Sequence, residues 1–134
     1  MQTITFHPRY ALRRVSNPDM EWLKDVILHP FEPGREFGEA SITFSEGAHK
    51  GDMILIADRK LGYYLIIGHH EWLSLGDRSR LSEVVCPDDW KASAGLFVAP
   101  DKAWLAVQEF CKSACRTDQI DWITPDEIPD DGNY

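Results

Sequence analysis

The stretch Pro100–Ile123, PDKAWLAVQEFCKSACRTDQIDWI, decides how the rest of the chain is read. Proline at a first helical position and Asp101 beside the positive end of the dipole mark a helix start. Ala103, Val107, Phe110 and Ala114 then recur at steps of three and four. They predict an apolar stripe that lies on a sheet, with Trp104 and Cys111 flanking it. After a short turn, QIDWI reads as a strand that closes with Trp122, a core residue. A helix delivered straight into a strand calls for a sheet already in place to receive both.

That sheet is found upstream. Ala40–Phe44, Met53–Ala57 and Leu61–Ile67 are β-rich and separated by EGAHKG and DRK, links too short for helical crossovers. They predict an antiparallel meander. Within GYYLIIG, Tyr63, Leu65 and Ile67 share one face while Tyr64 and Ile66 share the other. Apolar residues on both faces place this strand centrally, covered on two sides for part of its length. Gly68 suits a turn or bulge, with His70–Leu75 as the next strand and Gly95–Ala99 as a short later one. Ser79–Val85 fits either a helical turn or an extended segment.

Near the N-terminus, Thr3–Val15 reads as a weak edge strand broken at Pro8, with a basic patch at Arg9, Arg13 and Arg14. Asn17-Pro18 then reads as an N-cap and first helical residue of a helix over 18–28. Its apolar set is Met20, Leu23, Val26 and Ile27, and His29-Pro30 stops it. FEPGREFG, residues 31–38, is a loop into the sheet. The expected fold is therefore α+β, a mainly antiparallel sheet of about five to seven strands with two helices packed on it. Residues 1–124 form one domain and 125–134 an acidic C-terminal tail. Pro125, Pro129 and Gly132 suit a loose solvated end there.

Composition narrows function by exclusion. The chain has 134 residues and a formal net charge of −8, from 22 Asp and Glu against 14 Lys and Arg. Such a surface repels phosphates and attracts basic surfaces, so direct nucleic-acid binding is disfavoured, whereas a basic protein partner suits it. No apolar run approaches the roughly 20 residues of a membrane span, and MQTITFHPRY lacks the pattern of a secretory signal. A cytoplasmic monomer is expected. Cys86, Cys111 and Cys115 are read as reduced thiols. Cys111 and Cys115, four apart, would lie side by side if the helix continued.

Motifs that carry chemistry are scarce. His7, His29 and His49 are scattered, and adjacent His69 and His70 would point to opposite faces of a strand, so no metal site and no cofactor is expected. An enzyme would have to use His69, His70 and Glu71 beside Cys86, Asp88 and Asp89. A cysteine before proline in an acidic loop has no evident source of thiolate stabilisation. The chain has no Gly-rich phosphate loop, GxSxG elbow, HExxH or HxE…PCxxC pattern. What remains is an acidic constellation, Asp77, Glu83, Asp88 and Asp89 in the middle and Asp126, Glu127, Asp130 and Asp131 in the tail, with Trp72, Trp90 or Trp122 nearby, suited to anchoring and steering a basic partner; Trp72, Asp77, Glu83, Asp88, Asp89 and Trp90 are the candidate contacts. The structural core is expected to contain Tyr63, Leu65, Ile67, Trp104, Val107, Phe110 and Trp122.

Taken together, GLFVA, the helix AWLAVQEFCKSACRT, the closing QIDWI and the upstream strand GYYLIIG resemble immunity protein family one of bacterial polymorphic toxin systems. The resemblance implies an α+β fold and a small cytoplasmic protein that binds and neutralises a cognate toxin effector domain, often a nucleic-acid deaminase or nuclease. It implies structural roles for Tyr63, Tyr64, Phe110 and Trp122 and supplies no contact residues. Three functions stand side by side at this point: such an immunity protein, an enzyme using residues 69–71, or an acidic adaptor subunit.

Overall fold

The structure is a computed structural model that describes residues 1–10, 12–87 and 90–134. Ten strands and two α-helices follow in chain order: β1 (Gln2–Pro8), β2 (Val15–Ser16), α1 (Met20–Leu28), β3 (Glu39–Glu46), β4 (His49–Asp58), β5 (Gly62–Ile67), β6 (Trp72–Leu75), β7 (Val84–Val85), β8 (Ala92–Ser93), β9 (Phe97–Val98), α2 (Pro100–Ser113) and β10 (Asp121–Ile123). One antiparallel sheet runs β10-β6-β5-β4-β3-β1-β2, and β9 also pairs with β5, while β7 and β8 form a separate two-stranded ribbon. The meander is the β3-β4-β5 part of this sheet, in register from Glu39↔Ile56 to Asp58↔Gly62.

The sheet has two unlike faces because its strands carry two unlike sets of side chains. On one face, Ile4, Phe6, Ala40, Ile42, Phe44, Met53, Leu55, Tyr63 and Leu65 are buried under α1 and α2. Helix α1 contributes Leu23, Val26 and Ile27, and α2 contributes Ala103, Trp104, Ala106, Val107, Phe110 and Cys111. Each large apolar side chain taken fully out of water here stabilises the fold by about 1.5–3 kcal/mol. On the other face, Ile56, Tyr64, Ile66, Leu73 and Leu75 are covered by Leu81, Ala92, Leu96 and partly buried Ile128. That cover stops short of β1 and β3, whose Thr3, Thr5, Ser41, Thr43 and Ser45 stay half-exposed. Strand β5 is covered on both faces, as its unbroken apolar run requires.

At β5 the sheet forks. Strand β6 pairs with β5 only at Ile66↔Leu73 and Ile67↔Trp72, and β9 takes over at Tyr63↔Val98 and Tyr64↔Phe97. The buried Ser74 side chain bridges the fork: its Oγ accepts the Leu65 N–H at 2.9 Å and donates to the Leu96 carbonyl at 2.7 Å. Gly62 makes the β9 approach possible. Its φ is +100°, and a Cβ there would lie 2.1 Å from the Val98 carbonyl oxygen.

Several local expectations are corrected. Strand β1 is not an edge, because β2 pairs outside it at Thr5↔Ser16 and Phe6↔Val15. Asn17 does not cap α1. Its backbone is left-handed, and its side chain accepts the Ile4 N–H at 2.9 Å, tying β2 to β1. The cap is Asp19, which accepts from Glu21 and Trp22, and Met20 is exposed rather than part of the stripe. Residues 69–71 form a turn ahead of β6, with His70 at φ 61°, so the two histidines do not alternate across a strand. Residues 94–96 make a single 3-10 turn before β9. Helix α2 ends at Ser113, and Ala114 turns left-handed, so Cys115 leaves the helix face and is exposed while Cys111 is buried.

Of the expected core, Tyr63, Leu65, Trp104, Val107 and Phe110 are buried in the helix-side cluster, and Ile67 and Trp122 are partly buried against it. The Tyr63 hydroxyl donates to the Ile27 carbonyl at 2.5 Å, joining β5 to the end of α1. Burial pushes its pKa up to about 12.

Candidate protein-interaction surface

Residues 77–83 and the chain's last ten residues, far apart in sequence, form one surface. Asp77 caps the 3-10 turn Arg78–Arg80, accepting from the Ser79 N–H at 3.0 Å and the Ser79 hydroxyl at 2.6 Å. Those bonds, helped by Arg80, hold its carboxyl below the usual range. Arg80 grips Glu83 in a two-pronged pair, Nε to Oε2 and Nη2 to Oε1 both at 2.8 Å, and the pair lowers the Glu83 pKa. Both side chains therefore stay ionised and locally oriented.

The C-terminal segment docks beside them instead of trailing into solvent. Thr124 and Glu127 cap a second 3-10 turn, with the Thr124 N–H donating to Glu127 at 2.9 Å. Arg78 lies 3.6 Å from Glu127, and the Ser82 hydroxyl donates to Asp131 at 2.7 Å. Ser93 and Asn133 are tied twice: the Ser93 N–H donates to the Asn133 carbonyl, and the Asn133 N–H to the Ser93 Oγ, each at 2.9 Å. Gly132 has no room for a side chain, since a Cβ would stand 2.4 Å from the Leu81 carbonyl oxygen. The product is an exposed ridge carrying Asp77, Glu83, Asp126, Glu127, Asp130 and Asp131, whose two arginines, Arg78 and Arg80, are already ion-paired within it.

The remaining expected contact residues are dispersed. Trp72 lies on the helix side of the sheet, lining a groove with Ala114 and Trp122, with the Arg116 guanidinium 3.7 Å above its ring. Trp90 packs on the opposite face, stacked on His70 with ring centroids 6.0 Å apart. The structure thus brings Asp77 and Glu83 together and separates Trp72 from Trp90. Asp88 and Asp89 lie outside the described residues. The sequence groups the terminal carboxylates with Asp77 and Glu83 by charge alone; what it does not show is that they pack beside residues 77–83. A glycine between Asp131 and Asn133, fitted to a close approach, was the available signal.

Of the His69–Glu71 constellation, the structure describes His69, His70, Glu71 and Cys86. His70 packs between Trp90 and Tyr134, the latter at 5.8 Å, and the Glu71 side chain folds back over Gly68. Cys86 is exposed. Among the described residues no group of three or more His, Cys, Asp or Glu side chains is placed to hold a metal ion. No described helix is long and apolar enough to cross a membrane.

Comparison with protein-family models, with curated proteins and with solved structures finds no match.

Proposed function

We propose that the protein is a binding module of the immunity type: it docks on a cognate toxin effector domain and neutralises it by covering a basic, nucleic-acid-binding active site. The observation that carries this reading is the acidic ridge, built when the C-terminal segment packs on Arg78, Ser82 and Ser93. Six exposed carboxylates, with Arg78 and Arg80 already paired among them, present a negative field. Such a field steers a basic cleft into contact and repels nucleic acid itself. The work is burial and charge matching in a one-to-one complex in the cytoplasm, and needs no cofactor and no catalysis.

The test is co-expression with the toxin domain encoded beside this protein's gene, together with stopped-flow association of the purified pair. Protection of the cells is expected, with an association rate that falls as salt is added. The combined Asp126→Asn, Glu127→Gln, Asp130→Asn and Asp131→Asn variant should associate about tenfold or more slowly at low salt. Unprotected cells would sink the proposal. A rate indifferent both to salt and to the four substitutions would remove the ridge from it.

A further inference from the structure

The 31–38 loop, the β4–β5 turn, Tyr10 and Pro87 line a cleft of about 730 Å³. That is the size of a small-molecule site. Its walls are largely apolar, with Phe31, Pro30 and Pro33 from the loop and Ala57 from β4. Two adjacent cations, Arg59 and Lys60, stand over it from the turn, both exposed. The Arg59 guanidinium lies 4.3 Å from the centre of the Phe31 ring. Stacking fixes the plane of the guanidinium and leaves its N–H edge available. Neither Arg59 nor Lys60 has a carboxylate partner among the described residues, although the chain carries a net charge of −8.

One oxygen of each acid that also lines the cleft is held by backbone N–H groups. One Asp58 oxygen accepts the N–H groups of Lys60 and Leu61, each at 2.8 Å, which shapes the turn. Glu36 accepts the Arg35 N–H at 3.1 Å. Arg59 and Lys60 are the two cationic groups that line the cleft. An oriented guanidinium edge beside an ammonium suits a phosphate or carboxylate head, and the aromatic and proline walls suit an apolar body.

We infer that this cleft binds a small organic oxyanion, a phosphate or carboxylate head on Arg59 and Lys60 with an aromatic or aliphatic body against Phe31 and Tyr10. The inference does not depend on the immunity reading.

The test is a titration of the isotope-labelled full chain, followed by amide NMR, with three probes: phenyl phosphate, inorganic phosphate and benzyl alcohol. Phenyl phosphate should shift the Phe31, Gly34, Arg59 and Lys60 amides saturably, with an apparent Kd of about 1 mM or tighter. Inorganic phosphate should bind about tenfold more weakly for want of the apolar contact, and benzyl alcohol more weakly still for want of charge. The Arg59→Gln, Lys60→Gln double variant should weaken phenyl phosphate about tenfold or more, whereas Arg78→Gln, on the ridge, should leave it unchanged. Both altered positions are exposed, and retention of the remaining amide spectrum reports that the fold is kept. The inference is overturned if phenyl phosphate gives no saturable shift. It is equally overturned if inorganic phosphate binds as tightly as phenyl phosphate, or if the double variant binds like the parent.

Discussion

Replacing Gly132 with alanine probes the joint on which the acidic ridge depends. The added Cβ would fall 2.4 Å from the Leu81 carbonyl oxygen, 2.8 Å from an Ile128 methyl group and 2.9 Å from the Ser93 hydroxyl. The first of these neighbours is backbone and cannot swing aside, so the C-terminal segment must lift. Lifting it breaks both Ser93–Asn133 hydrogen bonds, worth about 1 kcal/mol each once water replaces the lost partner. It also returns partly buried Ile128 toward solvent, a further ~1 kcal/mol. The expected loss is about 2–3 kcal/mol of unfolding free energy. Urea denaturation measures it, and amide exchange at Ser93 and Asn133 should accelerate by roughly 30- to 150-fold. Gly47→Ala is the comparison: that glycine has φ +61° with nothing within 4 Å, so only backbone strain of about 1–2 kcal/mol is added, and Asn133 protection is kept. A Gly132→Ala protein with parental stability and an Asn133 amide as protected as before would refute the docked C-terminus and the ridge with it.

Four further outcomes concern Ser74, Tyr64 and the cysteines. Ser74→Ala leaves the Leu65 N–H without its acceptor at the fork of the sheet and should cost about 1–3 kcal/mol in denaturant titrations, whereas Ser74→Thr, which retains the hydroxyl, should cost less if its methyl is accommodated. The buried Tyr64 hydroxyl has no hydrogen-bond partner among the described residues, so Tyr64→Phe should be neutral or stabilise by up to about 1 kcal/mol; a loss above that would reveal a partner. Burial pushes the Cys111 thiol up to about 11 from an ordinary 9.0. A raised folded-state pKa contributes stability that is present below pH 9 and lost as pH rises towards 11, about 2–3 kcal/mol, and a Cys111→Ala protein should lack that alkaline component. In native protein a thiol reagent should modify Cys86 and Cys115 and spare Cys111.

Local patterns were legible in the sequence because they arise from near neighbours. The stripe of α2 depends on a 3.6-residue period, the β3-β4-β5 meander on links too short to cross over, and the two-sided burial of β5 on an uninterrupted apolar run. Proline at position 100 and the His29-Pro30 stop mark helix ends by steric rules that hold within a few residues.

The misreadings share one cause, which is competition from partners distant along the chain. Asn17 has the chemistry of a helix cap, but its side chain is taken by Ile4 of β1, and Asp19 caps instead. Strand β1 reads as an edge because Pro8 disfavours pairing only at its end, and nothing local shows that Val15–Ser16 will pair outside it. The terminal residues have the composition of a solvated tail, yet Gly132 fits against Leu81 and Asn133 completes the hydrogen bonding of Ser93.

The sequence by itself determined the α+β class, the central place of β5, the α2 stripe and the acidic balance, since each follows from periodicity, turn chemistry or charge count. Only the tertiary structure decided which carboxylates share a surface, that Trp72 and Trp90 lie on opposite faces of the sheet, and that Arg59 stacks on Phe31 over a cleft. Side chains far apart in sequence meet only where the strand order, the fork at Ser74 and close backbone approaches at glycines place them. No local preference encodes those distances.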